Sequence, residues 1–410
     1  MRSKPGPALA VLFLVNVLNF YDRQTLAAIL EPLRHEFSLS DTQLGGLFTL
    51  FTVVFALAGL PLGKLADTRS RRHLLAAGIA LWTGLTGLAG LATSYAMLLA
   101  TRLGVGIGEA ACTPAATSWI GDLVPASRRA RAMAGFMVAV PVGIMLSSAI
   151  SGPVAQAHGW RMALILAAIP GLVLAPAVLF LREPDRPTPS PGGAHAAALP
   201  TVFWWIAASG AVVNFALYSF STFLPAFLTR YHGMSVAQAG IWTGIGSGVS
   251  GILGAGAAGL LGDRVNNRLW LAAGASLLAA GPVYAAIRMP AGSAAPAVWL
   301  AMTGYGLLQM YYGLVYAAIQ DVIAPGMRGR AMALYFLVTY LGGASWGPLL
   351  TGRLSDFLAR RSGLPAEASR AVGLHDAMYV VPALALILAA VLWLAGRHHT
   401  AHSPRPSFSE

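Results

Sequence analysis

The stretch GKLADTRSRR, residues 63–72, decides the fold because part of it returns later in the chain. Four of its residues, Gly63, Leu65, Asp67 and Arg72, recur 196 residues later as Gly259, Leu261, Asp263 and Arg268. A second set recurs 199 residues later: Asp122, Arg129, Arg131, Ala132 and Met133 return as Asp321, Arg328, Arg330, Ala331 and Met332. Two matches at nearly one offset indicate that the chain is an internal duplication.

The composition around these repeats is that of a membrane protein. Of 410 residues, 56% are hydrophobic and 10% are charged, with a mean hydropathy of +0.66, whereas soluble proteins carry about 25% charged residues. The formal net charge is +12, but the Lys and Arg residues form short clusters between apolar runs. A nucleic-acid partner is therefore not expected, since binding one needs basic residues gathered on a single face.

Counting apolar stretches of about 20 residues, the length that crosses ~30 Å of hydrocarbon, predicts twelve transmembrane helices. The predicted spans are 8–30, 42–65, 73–93, 95–123, 130–156, 161–181, 201–229, 235–261, 269–289, 294–322, 329–352 and 375–396. Eleven spans are the alternative, because the third and fourth share one uncharged run from Leu74 to Thr101.

The segment 182–200 divides the spans six and six. It carries five prolines and the pair Gly192-Gly193, a composition that favours neither a helix nor a packed core. We therefore expect an N-terminal six-helix bundle at 1–181, a cytoplasmic linker at 182–200, a C-terminal bundle at 201–396 and a disordered cytoplasmic tail at 397–410. Two parallel six-helix halves are typical of a transporter with its site between them.

The distribution of positive charge predicts the orientation. With both termini in the cytoplasm, 17 of the 27 Lys and Arg residues fall on the cytoplasmic side, 8 fall outside, and Arg23 and Arg102 lie within the membrane. The apolar start of the chain shows no small-residue cleavage site, so we expect it to be kept as the first span. The sequence thus predicts a multi-pass protein of a bacterial inner membrane.

Several motifs resemble those of the major facilitator superfamily. GKLADTRSRR at 63–72 is similar to the superfamily loop between helices 2 and 3, and RLGVGIGEA at 102–110 is similar to its helix 4 motif. NFYDR at 19–23, GIGEA at 106–110 and GWRM at 159–162 most resemble the spinster-type transporters. The resemblance covers the whole chain and implies the superfamily fold, two pseudo-symmetric bundles of six helices, with lysophospholipid- or sphingolipid-like cargo.

Four ionisable residues lie inside predicted spans: Asp22, Arg23, Arg102 and Glu109. Such residues cost roughly 2.5 to 3.5 kcal/mol at the bilayer centre, so they are functional by default. We expect Asp22 and Glu109 to exchange protons while the charge of Arg102 tunes their proton affinity, and the spinster resemblance supports that assignment. Arg23 points about 100° away from Asp22 and could bind an anionic substrate group or a structural partner. A permanently charged structural network is the alternative.

The repeated loops predict a charge network that closes the cytoplasmic side and breaks when that side opens. The superfamily resemblance implies that Asp67 lies near the cytoplasmic start of helix 11, where the helix dipole attracts a negative charge. Topology control and lipid contacts are the plainer alternative. The expected gate residues are Asp67, Arg71, Arg72, Asp122, Arg129, Arg131, Asp263, Arg268, Asp321, Arg328 and Arg330.

Polar and aromatic residues at helical spacing mark a candidate substrate site in the second half. An apolar wall with a few placed polar groups suits an amphipathic ligand. Each aromatic residue could instead anchor a helix at the membrane interface. The candidates, with Arg23 in the first half, are Asn214, Tyr218, Thr222, Tyr305, Gln309, Tyr312, Tyr316, Tyr335 and Thr339.

The sequence therefore predicts a monomeric proton-coupled secondary transporter of amphipathic lipids that works by rocker-switch alternating access. The partners expected are the bilayer, the small substrate and protons. We expect no enzyme activity, no metal site and no cofactor, since no metal-spaced His or Cys cluster, nucleotide loop or catalytic triad occurs. An organic-anion/proton symporter, a drug/proton exporter and a membrane sensor that does not transport remain alternatives.

Overall fold

The computed structural model describes residues 5–184, 199–323 and 327–402, without the side chains of residues 5, 126, 127, 129, 130, 134, 329 and 399–402. Within these ranges the chain is all helical. The helices are α1 (Pro5–Ala28), α2 (Leu30–Phe37), α3 (Asp41–Thr68), α4 (Arg71–Ala89), α5 (Tyr95–Ala110), α6 (Cys112–Leu123), α7 (Ala126–His158), α8 (Trp160–Leu179), α9 (Thr201–Arg230), α10 (Val236–Gly262), α11 (Arg268–Arg288), α12 (Ala294–Val322), α13 (Arg328–Thr339), a π-helical turn (Tyr340–Ala344), α14 (Gly347–Arg361), α15 (Ala366–Ala377) and α16 (Val380–His402).

Each of the twelve predicted spans contains a helix in the described part of the chain. The third and fourth spans are separate, because α4 ends at Ala89 and α5 begins at Tyr95, so the eleven-span alternative is wrong. Eight segments are long and apolar enough by composition to cross a membrane. The first, third, fourth and tenth spans are also helical but are shorter or more polar. We name the two sides of the membrane after the predicted orientation, with both chain ends at the inner side.

Four spans are broken into consecutive helices, and each break lies four or five residues before a proline. A proline has no N–H for the carbonyl four residues earlier, and its ring collides with that carbonyl. Other prolines, such as Pro141 in α7, lie inside continuous helices. The residues that end each first segment and the prolines that follow are Ala28 and Pro32, Ala110 and Pro114, Ala344 and Pro348, and Ala377 and Pro382.

The duplication is visible in how two equivalent spans begin. Ser40 caps α3 by accepting from the backbone of Gln43, whose side chain accepts in return from the backbone of Ser40. Ser235 and Gln238 make the same reciprocal bonds at the start of α10. This capping box satisfies N–H groups that have no partner inside the helix. It therefore fixes the outer end of the second span of each half.

Two helix pairs join the halves: α3 with α14, and α7 with α10. Glycines allow both to pack at backbone distance. A Cβ placed on Gly45 would lie 2.3 Å from the carbonyl oxygen of Pro348, and one on Gly244 would lie 2.7 Å from that of Met145. Small residues of this kind are common where membrane helices approach closely.

The predicted linker at 182–200 lies mostly outside the described residues, and Arg182 to Pro184 and Leu199 to Pro200 are not helical. The start of the predicted tail needs correction. α16 continues to His402, six residues past the expected end at 396, and His398 stacks on Trp205 with ring centroids 6.0 Å apart. Residues 397–402 are thus helical rather than disordered, and residues 403–410 lie outside the described part.

Candidate transport site and gates

The four intramembrane charges predicted from the sequence lie in one buried cluster of the N-terminal half. The exposed fraction is 0% for Asp22 and Glu109 and 3% for Arg102. Arg23 donates from Nε to Glu109 Oε2 at 2.6 Å, and its side chain is 12% exposed. Arg23 therefore pairs with a carboxylate of the cluster itself, although the helical wheel placed it about 100° from Asp22.

Asp22 is the residue of the cluster that this pairing leaves without a hydrogen bond. Neither of its carboxylate oxygens has a hydrogen-bond partner among the described residues, and neither do Nε and Nη2 of Arg102. Asp22 nevertheless lies close enough to Glu109 and Arg102 to interact with both electrostatically. A buried carboxylate without a hydrogen bond is costly when charged, so the surroundings of Asp22 differ from those of Glu109, which is bound to Arg23.

Arg23 also lies in an aromatic cage that the sequence did not indicate. Its Cζ is 4.1 Å from the ring centroid of Phe55, 5.0 Å from that of Phe20 and 5.5 Å from that of Phe51. A guanidinium within about 6 Å of an aromatic face is attracted by the ring quadrupole. The spacing of Phe51 and Phe55 at i and i+4 on α3 was the available signal.

The predicted substrate residues of the second half are only partly accessible. Tyr218, Gln309, Tyr312 and Tyr316 are half-buried. Tyr312 donates to Asn214 Oδ1 at 3.1 Å. The other predicted residues are buried, with exposed fractions of 5% or less, namely Asn214, Thr222, Tyr305, Tyr335 and Thr339.

Two tyrosines that the sequence analysis did not select connect this face. Tyr311 accepts from the hydroxyl of Tyr335 at 3.1 Å and lies 2.8 Å from Ser209 Oγ. Tyr340, in the π-helical turn, lies 5.6 Å from Phe55 of the aromatic cage and 6.4 Å from Tyr218, measured between ring centroids. Tyr340 thus joins the charge cluster of one half to the polar face of the other.

A small cavity adjoins the charge cluster on its outer side. Its lining includes both arginines of the cluster and the aromatic rings of α3, namely Arg23, Leu26, Leu47, Phe48, Phe51 and Arg102. A cation at an apolar cavity is a suitable position for an anionic group attached to a hydrocarbon chain.

The inner charge pairs form within each half. Arg71 is buried and pairs with Asp122 at 2.6 Å and with Glu183 at 3.3 Å. In the second half, Arg268, the repeat of Arg72, pairs with Asp321 and lies 3.9 Å from Asp263. The predicted network is therefore present as two separate clusters, and the described ion pairs at this side do not join the halves.

The remaining predicted gate residues have other positions. Arg72 donates to the carbonyl of Leu179 at 3.4 Å, and Arg328 donates to that of Gln320 at 2.7 Å. Three are exposed at the inner side: Asp67, Arg131 and Arg330. The side chain of Arg129 lies outside the described part of the structure.

At the outer side, by contrast, ion pairs do cross between the halves, and the sequence analysis missed them. We call Glu31, Arg34, Asp41, Arg230 and Glu367 the outer network. Arg230 binds Asp41 through both terminal nitrogens at 2.8 Å and Glu31 through Nε at 2.6 Å. Arg34 bridges Glu31 and Glu367, each at 3.0 Å. In the ion pairs that cross between the halves, the two partners are 189 to 333 positions apart in the sequence. No local sequence pattern therefore indicates these pairs.

The contacts between the halves extend from this network to the middle of the membrane. Thr49 donates to the carbonyl of Ser345 at 2.5 Å. Closer to the inner side, the ring of Phe55 packs against the ring of Tyr340. Nearer the inner side on the same helix, Leu57 and Leu60 are 52% and 55% exposed. The described polar contacts and ion pairs that cross between the halves thus lie at the outer side and the middle of the membrane, whereas the described inner ion pairs stay within each half.

Two repeated six-helix halves with charges buried between membrane helices are the architecture of a secondary transporter. The chain belongs to the Major Facilitator Superfamily, whose family model matches residues 12–348.

Three known proteins show where the chain falls within this superfamily. An MFS-type efflux pump of Mycolicibacterium smegmatis is 32% identical over 422 residues, covering 96% of this chain and 92% of the pump. The sphingosine-1-phosphate transporter SPNS2 of Danio rerio is 27% identical over 423 residues, covering 95% of this chain and 84% of that protein. A crystal structure of a bacterial homologue of the human lysosomal transporter spinster, inward-facing and occupied, is 28% identical with a TM-score of 0.89, covering 99% of this chain and 100% of that one.

Proposed function

We propose that this protein is a proton-coupled secondary active transporter of lysophospholipid-like or other amphipathic lipids, working by rocker-switch alternating access. The observation that carries the proposal is that the two buried carboxylates of this cluster differ in their hydrogen bonding. Glu109 is bound to Arg23, whereas Asp22 has no hydrogen bond among the described residues. Two buried carboxyl groups of one cluster, of which only Glu109 is held by an ion pair, are suited to load and release a proton.

The proposed coupling runs through Arg23. Protonation of Glu109 removes the negative charge that holds the guanidinium, and Arg23 then becomes available to an anionic group. Tyr218 and Tyr340 of the other half lie near Arg23. A phosphate or carboxylate headgroup bound there would contact both halves, with its hydrocarbon chain against the aromatic residues. Proton binding and cargo binding would thereby be linked at one side chain.

The rest of the assignment follows from the same proposal. The proton gradient supplies the energy, so we propose no cofactor, no metal and no enzyme activity. We also propose a monomer in a bacterial inner membrane with both termini in the cytoplasm. The lipid cargo is supported by the similarity to a transporter named for sphingosine-1-phosphate, which is itself a phosphorylated amphiphile.

Proteoliposome uptake of labelled lysophospholipid under an imposed pH gradient tests this function. We expect gradient-driven uptake by the parent protein and at least a tenfold loss in Glu109→Gln, with ligand binding retained. The matched control is Glu36→Gln, at the outer surface, where Glu36 accepts from Arg161 and Trp160 outside the transport site. Equal gradient-driven uptake by Asp22→Asn, Glu109→Gln and the parent would exclude proton coupling at this cluster.

A drug/proton exporter is the second candidate, because the relative that is 32% identical is an efflux pump. The same liposomes separate the candidates. Gradient-driven movement of a cationic dye without lysophospholipid movement favours the exporter, and movement of a soluble organic anion favours an anion symporter. Binding of any of these compounds without transport would indicate a membrane sensor.

A further inference from the structure

The outer ends of α3 and α14 are joined by an unusual helix cap that comes from the other half of the protein. Asp356, near the end of α14, accepts from the backbone N–H of Asp41 at 3.0 Å and of Thr42 at 2.9 Å. It also accepts from the hydroxyl of Thr42 at 2.5 Å. These are first-turn N–H groups of α3, which have no partner within the helix and attract negative charge. Ser40, the local cap, bonds only further along the helix, to Gln43.

The two helices are in backbone contact at this point. A Cβ on Gly352 would lie 2.2 Å from the carbonyl oxygen of Asp41, so only a glycine at this position lets the two helices pack so closely. Ser355 also donates to Asp41 Oδ2 at 2.6 Å. The carboxylate of Asp41 is thereby held by α14 and by Arg230 of α9 at the same time.

Arg230 makes the second connection between the halves. Its side chain and those of its partners are almost completely buried, so the loss of either partner would leave a buried charge unpaired. The side chains of Arg230 and Asp41 are each 4% exposed and that of Glu31 is 7% exposed. A buried ion pair gains little over its hydrated components, but leaving one partner buried alone is strongly destabilising. Removing Arg230 therefore destabilises the closed outer side, while opening that side to water would hydrate both carboxylates.

We propose that Asp356 and Arg230 form the outer gate, which holds the halves together in the inward-open state and has to break before the outer side opens. The gate rests on the proposed alternating access. Because a contact shifts a conformational equilibrium only by its difference in energy between the states, contacts that exist in one state alone are the effective ones. All the gate bonds join α3 or α2 to α9 or α14, and separation of the halves breaks all of them.

Distances between spin labels test the gate without any cargo. Ser38 and Ala368 are exposed at the outer side, in α2's cap and in α15, on opposite halves. Cys112 is buried, so labels attach to Ser38→Cys and Ala368→Cys. In nanodiscs we expect Arg230→Gln and Asp356→Asn each to raise the long-distance population about tenfold from a minor state on the order of 1%. An inner pair, Thr68→Cys with Asn266→Cys, should move closer in the same variants.

The matched control is Arg353→Gln, which removes one positive charge from an exposed position on α14 and should leave both distances unchanged. Asp356→Asn keeps the side-chain volume and one acceptor oxygen, so it tests the gate even where Arg230→Gln fails to fold. Unchanged outer distances in folded Asp356→Asn would overturn the proposal. Since no gradient or substrate is used, this result is independent of whether the protein carries lipids or protons.

Discussion

Arg23 and Glu109 form an ion pair with Nε 2.6 Å from Oε2, at a depth where the Glu109 side chain is 0% exposed. The pair joins α1 to the end of α5, next to the break that Pro114 imposes. Arg23 Cζ lies at the same time over the ring of Phe55 on α3. One guanidinium therefore connects three helices of the N-terminal half, and its loss should affect both stability and transport.

We expect Glu109→Gln to lower the free energy of unfolding by about 3–5 kcal/mol, because it leaves Arg23 charged and unpaired inside the protein. Thermal unfolding in detergent measures the change. The double variant Arg23→Gln with Glu109→Gln should recover part of the loss, since no unpaired charge remains. Losses in the two single variants that simply add in the double variant would argue against the ion pair.

Asp22→Asn should behave in the opposite way although it alters the same cluster. The Asp22 carboxylate has no hydrogen bond among the described residues, and asparagine has nearly the same volume without a charge. We expect the free energy of unfolding to stay within about 0.5 kcal/mol of the parent or to rise. A melting temperature lowered as far as in Glu109→Gln would mean that Asp22 is paired and charged in the membrane.

How far the sequence predicts the molecule depends on whether a feature is local. Hydropathy located all twelve spans. The four breaks near Pro32, Pro114, Pro348 and Pro382 do not follow from proline alone, since prolines such as Pro141 lie inside continuous helices. The four buried charges were found because charge is rare in lipid. The pairing of Arg23 with Glu109 was not predictable from the sequence. A helical wheel gives only the direction in which Cβ leaves the helix, and a long side chain can bend away from that direction.

The outer network illustrates the limit more sharply. Arg230 and Asp41 lie directly next to the predicted spans 201–229 and 42–65, and neither has a motif or spacing that distinguishes it from other charges at span ends. Their importance arises only because the ends of α9 and α3 meet across the halves. The repeated inner loops, which do have a pattern, pair within each half in this structure. Sequence repetition thus indicated the duplication correctly but not which charges cross between the halves.

The two inner arginines offer a prediction about burial. Arg71→Gln should cost about 3–5 kcal/mol of unfolding free energy, because its 2% exposed side chain pairs with Asp122 and Glu183. Arg268→Gln should cost less than about 1 kcal/mol, because Arg268 is 29% exposed and its partner Asp321 is 43% exposed. Equal losses, measured by chemical denaturation of the two variants, would contradict this difference.

Packing between α7 and α10 predicts a graded effect of glycine substitution. Gly244→Ala puts a Cβ 2.7 Å from the carbonyl oxygen of Met145, so the helices have to move apart. Overpacking of this kind costs typically about 1–3 kcal/mol. Gly256→Ala on the same helix meets nothing within 4 Å and should stabilise by up to about 1 kcal/mol. Equal changes in melting temperature in the two variants would show that the contact with Met145 does not decide the outcome.

A buried histidine beside the outer network should make stability depend on pH. His232 follows α9, is 5% exposed and has no hydrogen bond to either ring nitrogen among the described residues. Burial lowers its pKa, and the nearby His375 lowers it further. Its ring packs against Phe227 and Tyr231, with centroids 5.1 Å and 5.2 Å away.

The sign of the pH effect follows from the lowered pKa of His232. The unfolded chain takes up a proton on this ring near pH ~6.5, whereas the folded protein resists it, so the folded state loses stability as pH falls below that value. His232→Phe keeps an aromatic ring and removes this proton. We expect its melting temperature to fall less steeply between pH 7.5 and 5.5 than that of the parent protein. His158→Phe, at an exposed position, is the control and should follow the parent. Parallel curves for His232→Phe and the parent would show that the buried ring does not titrate with unfolding.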